Sequence, residues 1–231
     1  MRLDNNELYE FLLEKEILVL YHANTVSTSV TYFQQNGLLS RGAVENLGLY
    51  QTSQTSDEAD KLLNVWNDVF LDSTDLHTFF SRQNHYGPIL FEFDVSLIQN
   101  EDYEIWITKN NPIYWNVDYT DVQKYFQSVQ ELRETWDNYE RQKKMITIRN
   151  NSTPILFDQV RRVIVDDPRV KIKEGDGHIH LYNETVNKIK AIVDDNHILK
   201  GKFTTRICSS CWCRDNYLNQ VNKSNLKRLF L

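Results

Sequence analysis

The chain has 231 residues, of which 41% are hydrophobic and 25% are charged, and this balance excludes extended disorder and fits one domain, alone or with a small appendage. The formal net charge is −6, and no apolar run is long enough to cross a bilayer, so a membrane protein is not expected. The cysteines, Cys208, Cys211 and Cys213, are odd in number and clustered, which argues against a disulfide framework and indicates a reducing cytoplasm.

The N-terminal segment is predicted to form a helix, a strand and a second helix. Apolar residues recur at helical spacing over residues 5–16, and residues 17–22 form a compact apolar strand. A further helix is expected over residues 27–35, and Asn36 and Gly37 have the character of its C-terminal cap.

The middle of the chain is predicted to continue with helices and short strands. The polar residues 51–60 lead into a helix predicted over residues 57–70. Residues 88–94 and 103–108 have the composition of strands, and residues 120–143 carry the longest helical pattern.

The remaining elements are two strands, a helix and a tail. Strands are predicted over residues 145–148 and 160–165, and a helix over residues 183–194. Residues 181–231 carry nine Lys and Arg against four Asp and Glu. Such a basic tail can contact phosphates or can be a solvated tail, and the second interpretation is favoured because the acidic remainder of the chain repels a polyanion.

One order of features indicates a function. A buried strand ends in Tyr21 and His22, a loop with Thr25 and an amphipathic helix follow, and the run Gly37-Leu38-Leu39-Ser40-Arg41 comes next. This order resembles the opening of ADP-ribosyltransferases of the DarT type. Further matches are residues 76–82, which end in an arginine, and the strand-like residues 86–91.

The resemblance implies an α+β fold, an ADP-ribosyltransferase-like split mixed sheet with flanking helices. It would occupy residues 1–168, and residues 169–231 would form a small, basic, cysteine-containing extension. It also implies NAD as a substrate and a base of RNA or DNA as the acceptor. The function would be that of a toxin in a toxin–antitoxin or phage-defence system, and a neutralising antitoxin protein would be its partner.

The resemblance also assigns roles to individual residues. His22 would contact the nicotinamide ribose, with Tyr21 and Thr25 beside it, and Tyr32 or Tyr50 would stack on the nicotinamide ring. Arg82 would bind phosphate or polarise the leaving group, because a guanidinium is permanently charged and planar.

The catalytic carboxylate is the point at which the sequence departs from the family. DarT-type enzymes place a glutamate just before the last core strand, and Lys144 holds that position here. Glu140 is the nearest candidate for the catalytic role. The carboxylate could also come from elsewhere in the chain, or the protein could be an inactive member of the fold that only binds.

Two clusters of possible metal ligands have alternative interpretations. Cys208, Cys211 and Cys213, with a nearby histidine, could bind structural zinc in a nucleic-acid-binding module, or they could be buried thiols. A second cluster, Asp72, Asp75 and His77, is better explained as the capped, solvated end of a helix than as a metal site.

Overall fold

A computed structural model describes residues 2–79, 85–208, 212–219 and 221–231, without the side chains of residues 78, 79, 212 and 213. The described residues form a mixed α+β fold, which confirms the predicted class. None of their helices is both long and apolar enough to cross a membrane. The strands in chain order are β1 (Val19–Asn24), β2 (Gly37–Leu38), β3 (Val69–Leu71), β4 (Ile89–Asp94), β5 (Ile105–Ile107), β6 (Ile146–Ile148), β7 (Ile155–Leu156), β8 (Val160–Asp167), β9 (Lys171–Glu174), β10 (Gly177–His180) and β11 (Phe203–Ile207).

Helices surround these strands. The α-helices are α1 (Asn5–Glu14), α2 (Val26–Gln34), α3 (Arg41–Asn46), α4 (Asp57–Leu62), α5 (Leu76–Phe79), α6 (Asp121–Lys124), α7 (Val129–Thr135), α8 (Leu181–Lys190), α9 (Trp212–Asn219) and α10 (Lys223–Phe230). Short 3₁₀ helices cover Val95–Gln99, Pro112–Tyr114, Trp136–Asn138, Arg141–Lys143 and Phe157–Gln159.

Two sheets form the centre of the fold. The first has the strand order β1-β4-β8-β11, antiparallel except for the parallel pair β8 and β11. The second has the order β3-β6-β5 and is antiparallel throughout. Two two-stranded pairs, β2 with β7 and β9 with β10, lie outside them.

The helix α2 covers one face of the first sheet because its apolar stripe meets a row of phenylalanines. The Phe33 ring lies 5.7 Å from the Phe91 ring of β4 and 5.6 Å from the Phe203 ring of β11. Thr25 begins the helix, since its side chain accepts a hydrogen bond from the Thr28 amide. Aromatic burial of this kind holds α2, and the end of β1 that precedes it, in a fixed position.

The prediction of one long helix over residues 120–143 is wrong, because the helix is interrupted between α6 and α7. The Phe126 amide donates to the Ile107 carbonyl at 3.0 Å, and Tyr125 forms an isolated antiparallel bridge with Thr108. Ser128 then starts α7 by accepting from the Glu131 amide. Apolar residues do recur at helical spacing in this segment, but the pairing of residues 125 and 126 with the end of β5 prevents a continuous helix.

The helix predicted over residues 57–70 is also too long. The structure has α4 only to Leu62, and Asn64 takes a left-handed conformation with φ of 60°. The last residues of the predicted helix form β3 instead, where Val69 pairs with Ile148. Asparagine tolerates this conformation better than most residues, and the turn that it makes directs the chain into the second sheet.

The C-terminal region contributes to the first sheet. Residues of β11 pair with β8 from Phe203 opposite Val163 to Ile207 opposite Asp167. The His197 imidazole also lies 2.9 Å from the Phe33 carbonyl through Nε2. Residues on both sides of the predicted boundary at residue 168 therefore share one sheet and one helix layer. The ADP-ribosyltransferase arrangement itself stays a prediction.

Candidate active site at a split between two sheets

In the described residues, the two sheets meet at one backbone bridge. Tyr21 of β1 and Asp72, directly after β3, exchange backbone hydrogen bonds of 2.8 Å in both directions. One residue further along β1, the His22 side chain makes the next link, with Nδ1 3.0 Å from the Phe70 carbonyl. We call this point, formed by Tyr21, His22 and Asp72, the β1–β3 junction. At this position the His22 imidazole, and not a backbone amide, hydrogen-bonds to β3.

His22 is held as a neutral hydrogen-bond acceptor. Burial lowers the pKa of the imidazole, although the Phe70 carbonyl partly opposes this shift. Because Nδ1 faces a carbonyl, the network assigns the proton to Nδ1 and leaves the lone pair on Nε2. The Asn24 amide nitrogen lies 3.4 Å from Nε2 and 3.3 Å from the Tyr32 hydroxyl.

The predicted pair of His22 and Tyr32 is therefore brought together. Their ring centroids are 6.0 Å apart, and Asn24 lies between their polar atoms. Burial raises the pKa of Tyr32 to about 12, so its hydroxyl keeps its proton at neutral pH. The sequence prediction missed Asn24, whose only signal was its position two residues after His22 on the same strand face.

Tyr21 belongs to the opposite face of β1, because successive side chains of a strand alternate. It lies opposite Glu92 of β4 and, across the junction, opposite Asp72. Glu92 lies in turn opposite Arg162 of β8, whose Nη2 donates to its Oε1 at 3.0 Å. Burial raises the pKa of Tyr21, and Glu92 and Asp75 add to that shift. A row of two carboxyls, a phenol and a guanidinium thus crosses the sheet.

Asp72 is the least compensated member of this row. The residue is 8% exposed, and no hydrogen bond or ion pair joins its carboxylate to any residue in the described part of the chain. Burial raises its pKa to about 7. Arg141 is fixed by bonds of 2.8 Å to the carbonyl and 3.3 Å to the hydroxyl of Ser73, the residue that follows Asp72 in the chain.

The prediction that Asp72, Asp75 and His77 form a solvated helix end is wrong for two of the three. Asp75 does cap α5, since its Oδ1 accepts from the His77 amide at 3.0 Å. The His77 side chain, however, is buried, and its Nδ1 lies 2.6 Å from Oδ2 of the buried Asp166. Arg206 joins Asp166 and Asp75 through two contacts of 2.6 Å. This buried network connects α5 with β8 and β11.

Thr25 and Tyr50 take structural positions in the described part of the chain. Thr25 is buried, and its hydroxyl lies 2.7 Å from the Thr52 hydroxyl in addition to capping α2. Tyr50 is 65% exposed, and its carbonyl accepts from the Thr31 hydroxyl at 2.6 Å. Both contacts fasten the segment after α3 to α2. A contact of either residue with NAD stays a prediction.

Arg82 lies outside the described residues. The proposal that its guanidinium converges with the His22 imidazole on one crevice therefore stays a prediction.

Glu140 lies at the surface. Its side chain is 61% exposed, with its Oε1 3.4 Å from the Lys143 ammonium and its other oxygen bonded to Gln142. Its neighbour Lys144 is buried, and its Nζ donates to the Trp136 carbonyl at 2.9 Å and to the Tyr139 carbonyl. Burial lowers the pKa of Lys144 to about 8. The position that the resemblance matches to the catalytic glutamate thus holds a buried, hydrogen-bonded lysine.

Only part of the predicted zinc site lies within the described residues. Cys208 is buried in a second hydrophobic cluster, with Sγ 3.7 Å from the Arg206 carbonyl. Cys211 and the Cys213 side chain lie outside the described residues. Within the described ranges no three Asp, Glu, His or Cys side chains come together as metal ligands. Structural zinc stays a prediction.

A scan of the chain against protein-family models gives no match, and a search of curated proteins gives no significant match.

Proposed function

We propose that the chain is an NAD-dependent ADP-ribosyltransferase that modifies a base of RNA or DNA, with its reaction centre at the β1–β3 junction. One observation carries the proposal. At the bridge that joins the described parts of the two sheets, the buried carboxyl of Asp72 lies beside Tyr21, and the neutral imidazole of His22 follows one residue along β1, on the other face of the strand.

The reaction makes defined chemical demands. The bond between the ribose C1′ and the nicotinamide nitrogen breaks, and its electron pair leaves with nicotinamide. Positive charge develops on the ribose, and a nucleophilic atom of the acceptor base forms the new bond to C1′ and releases a proton. The site needs groups that orient the ribose hydroxyls, a carboxylate near the developing charge and a base for the proton.

His22 suits the orienting role. Its Nε2 carries a lone pair, and its present contact with the Asn24 amide is long at 3.4 Å, so a ribose hydroxyl can replace it at little cost. The hydrogen bond from Nδ1 to the Phe70 carbonyl keeps the ring in this tautomer. Tyr32 stays a protonated phenol beside it.

Asp72 suits the carboxylate role that the sequence assigned to Glu140. A carboxyl with a pKa of about 7 is partly ionised at physiological pH and can accept a proton, which is the condition for an efficient general base. Glu92 on the same face is less suited, because it is already paired with Arg162.

Arg162 and Arg141 are the residues that we expect to bind the phosphates of NAD. The Arg162 side chain is 52% exposed and carries nitrogens beyond those that bond Glu92. Arg141 donates to the carbonyl of Ser73, the residue after Asp72. Guanidinium groups are the preferred partners of phosphate oxygens.

Base modification and NAD consumption would both harm a cell, so a toxin role in phage defence and a neutralising antitoxin belong to the same proposal.

The test is incubation with NAD labelled in its adenylate half, together with separate pools of RNA, DNA and protein. We expect label in a nucleic-acid pool and release of nicotinamide. Asp72→Asn and His22→Gln should each reduce the transfer at least about a hundredfold. The matched control, Asp102→Asn, changes an exposed carboxylate far from the junction in sequence and should leave transfer unchanged. Equal transfer by Asp72→Asn and the unaltered chain would remove Asp72 from the mechanism.

A second candidate is a binding protein of the same fold without catalysis, and the burial of Lys144 at the family's glutamate position favours it. Calorimetric titration with NAD separates the two. Binding of NAD without release of nicotinamide in any acceptor pool would favour the second candidate.

A further inference from the structure

The segment after β5 is a closed loop folded over its own tryptophan. The bridge between Thr108 and Tyr125 joins its two ends, and the Lys109 amide donates to the Lys124 carbonyl at 2.8 Å. Trp115 is 9% exposed and packs with Leu63, Val65 and Tyr125 in a satellite hydrophobic cluster. Compact loops with closed ends and an internal anchor are frequently functional.

The outer side of this loop is unusually apolar. The exposed fractions of five of its side chains range from 41% to 67%, and these residues are Ile113, Tyr114, Val117, Tyr119 and Val122. Single exposed apolar residues are ordinary, but five from one short loop form a patch of the kind that marks an interaction site.

Leu62 extends this patch. It is 74% exposed, and the next residue, Leu63, belongs to the same cluster as Trp115. We call Leu62 and these five loop residues the loop patch.

Within residues 110–123 the charge has one sign. Residues 110–123 contain Asp118 and Asp121, both exposed, and no lysine or arginine. A surface of this composition attracts a basic partner and repels a polyanion.

We propose that the loop patch is the docking surface for an amphipathic helix of another protein, one with an apolar stripe flanked by lysine and arginine. Apolar side chains of such a helix would cover Ile113, Tyr114 and Val117, and its basic flank would lie against Asp118 and Asp121. A second copy of this chain is disfavoured, because a two-fold contact would oppose the acidic rims of both copies. Nucleic acid is disfavoured because residues 110–123 carry no cation for phosphate, while Lys109 is paired with Glu131 and Lys124 is buried.

The proposal does not depend on the proposed enzymatic activity. The loop contains none of the junction residues, so docking can be measured with or without NAD. The patch residues are also exposed, so polar substitutions there leave the packing of Trp115 intact and should not unfold the chain.

The experiment is calorimetric titration of the chain with a synthetic 18-residue peptide of leucine and lysine, with leucines at helical spacing. We expect binding that weakens at least about tenfold in Ile113→Ser with Val117→Ser, and about tenfold in Asp118→Lys with Asp121→Lys. A peptide of the same pattern with glutamate in place of lysine should bind at least about tenfold more weakly than the lysine peptide.

Two control variants separate docking from general attraction to an acidic protein. Leu156→Ser changes an apolar residue that is 52% exposed elsewhere, and Glu10→Lys changes an exposed charge on α1. Neither should weaken binding. The proposal is overturned if the controls weaken binding as much as the patch variants. It is also overturned if sedimentation detects a dimer that the patch variants dissociate, or if a single-stranded oligonucleotide binds and Tyr114→Ser releases it.

Discussion

At the scale of single residues, burial at the junction shifts the pKa values of Asp72 and His22 towards their neutral forms. The Asp72 carboxyl is buried without a charged partner among the described residues, and the His22 imidazole is kept neutral. Such groups lower stability, and proteins retain them most often at functional sites. Both effects can be measured by changing pH.

Asp72 should make the folded state less stable as the pH rises. Its pKa is about 7 when folded, against about 3.9 when unfolded. Because the folded state holds its proton more tightly, this contribution to stability is complete below about pH 4 and is lost as the pH rises through 7. In urea unfolding, Asp72→Asn should therefore gain about 2–4 kcal/mol relative to the unaltered chain between pH 4 and pH 8. The exposed control Asp102→Asn should show no such trend, and a constant difference at all pH values would contradict the assignment.

Lys144 should resist replacement by the glutamate that the resemblance to DarT-type enzymes would place there. Its ammonium donates to the Trp136 and Tyr139 carbonyls and lies 4.2 Å from the Trp136 ring centroid. In Lys144→Glu a carboxylate would face two acceptors in a buried position, and we expect a loss of about 3–5 kcal/mol in the free energy of unfolding. The neighbouring Lys143→Glu, at a more exposed position, should lose no more than about 1 kcal/mol. A stable Lys144→Glu with faster NAD turnover would mean that this position faces the reaction centre.

At the scale of secondary-structure elements, the sequence predicts the type of most elements but not all of their ends. The β1–loop–α2 unit is confirmed because the apolar strand and the helical spacing that follows it favour the same structure, and the structure adds the Thr25 cap that the sequence analysis did not predict. Residues 120–143 fail because the bond from the Phe126 amide to the Ile107 carbonyl joins distant parts of the chain. The prediction that Asp72 is solvated fails for the same reason, since its bridge to Tyr21 joins distant parts of the chain.

Arg206 of β11 should be the residue that most strongly fixes this strand to α5. Its guanidinium contacts Asp166 and Asp75 at 2.6 Å, and Asp166 is fully buried. Arg206→Met would leave Asp166 with the His77 imidazole as its remaining contact among these groups, and we expect a loss of about 3–5 kcal/mol in the free energy of unfolding. Arg161→Met removes a pair with Asp94 whose arginine is 45% exposed, and it should lose less than about 1 kcal/mol. Similar losses in both variants would mean that the network contributes little.

At the scale of the whole molecule, much of the basic charge of the C-terminal region is engaged within the fold. Lys223 and Lys227 pair with Glu174 at 3.1 and 2.7 Å, and Lys202 donates to the Val160 carbonyl at 2.7 Å. Arg228 reaches the Ser53 carbonyl at 3.3 Å. The prediction of a solvated tail is therefore wrong for the described residues. These cations already have partners within the fold, which leaves Arg162 and Arg141 as better candidates for phosphate contacts.

The predicted boundary at residue 168 can be tested with the fragment 1–168. Without β11, the fragment would expose the edge of β8, a strand rich in valine and isoleucine, and would lose the contact of His197 with the Phe33 carbonyl. We expect the fragment to lack a cooperative urea transition and to aggregate, and we expect co-expression with residues 169–231 to restore soluble protein. A fragment that unfolds cooperatively alone would mean that the first 168 residues are an independent domain. In that case the β8–β11 pairing is a docking contact between two domains.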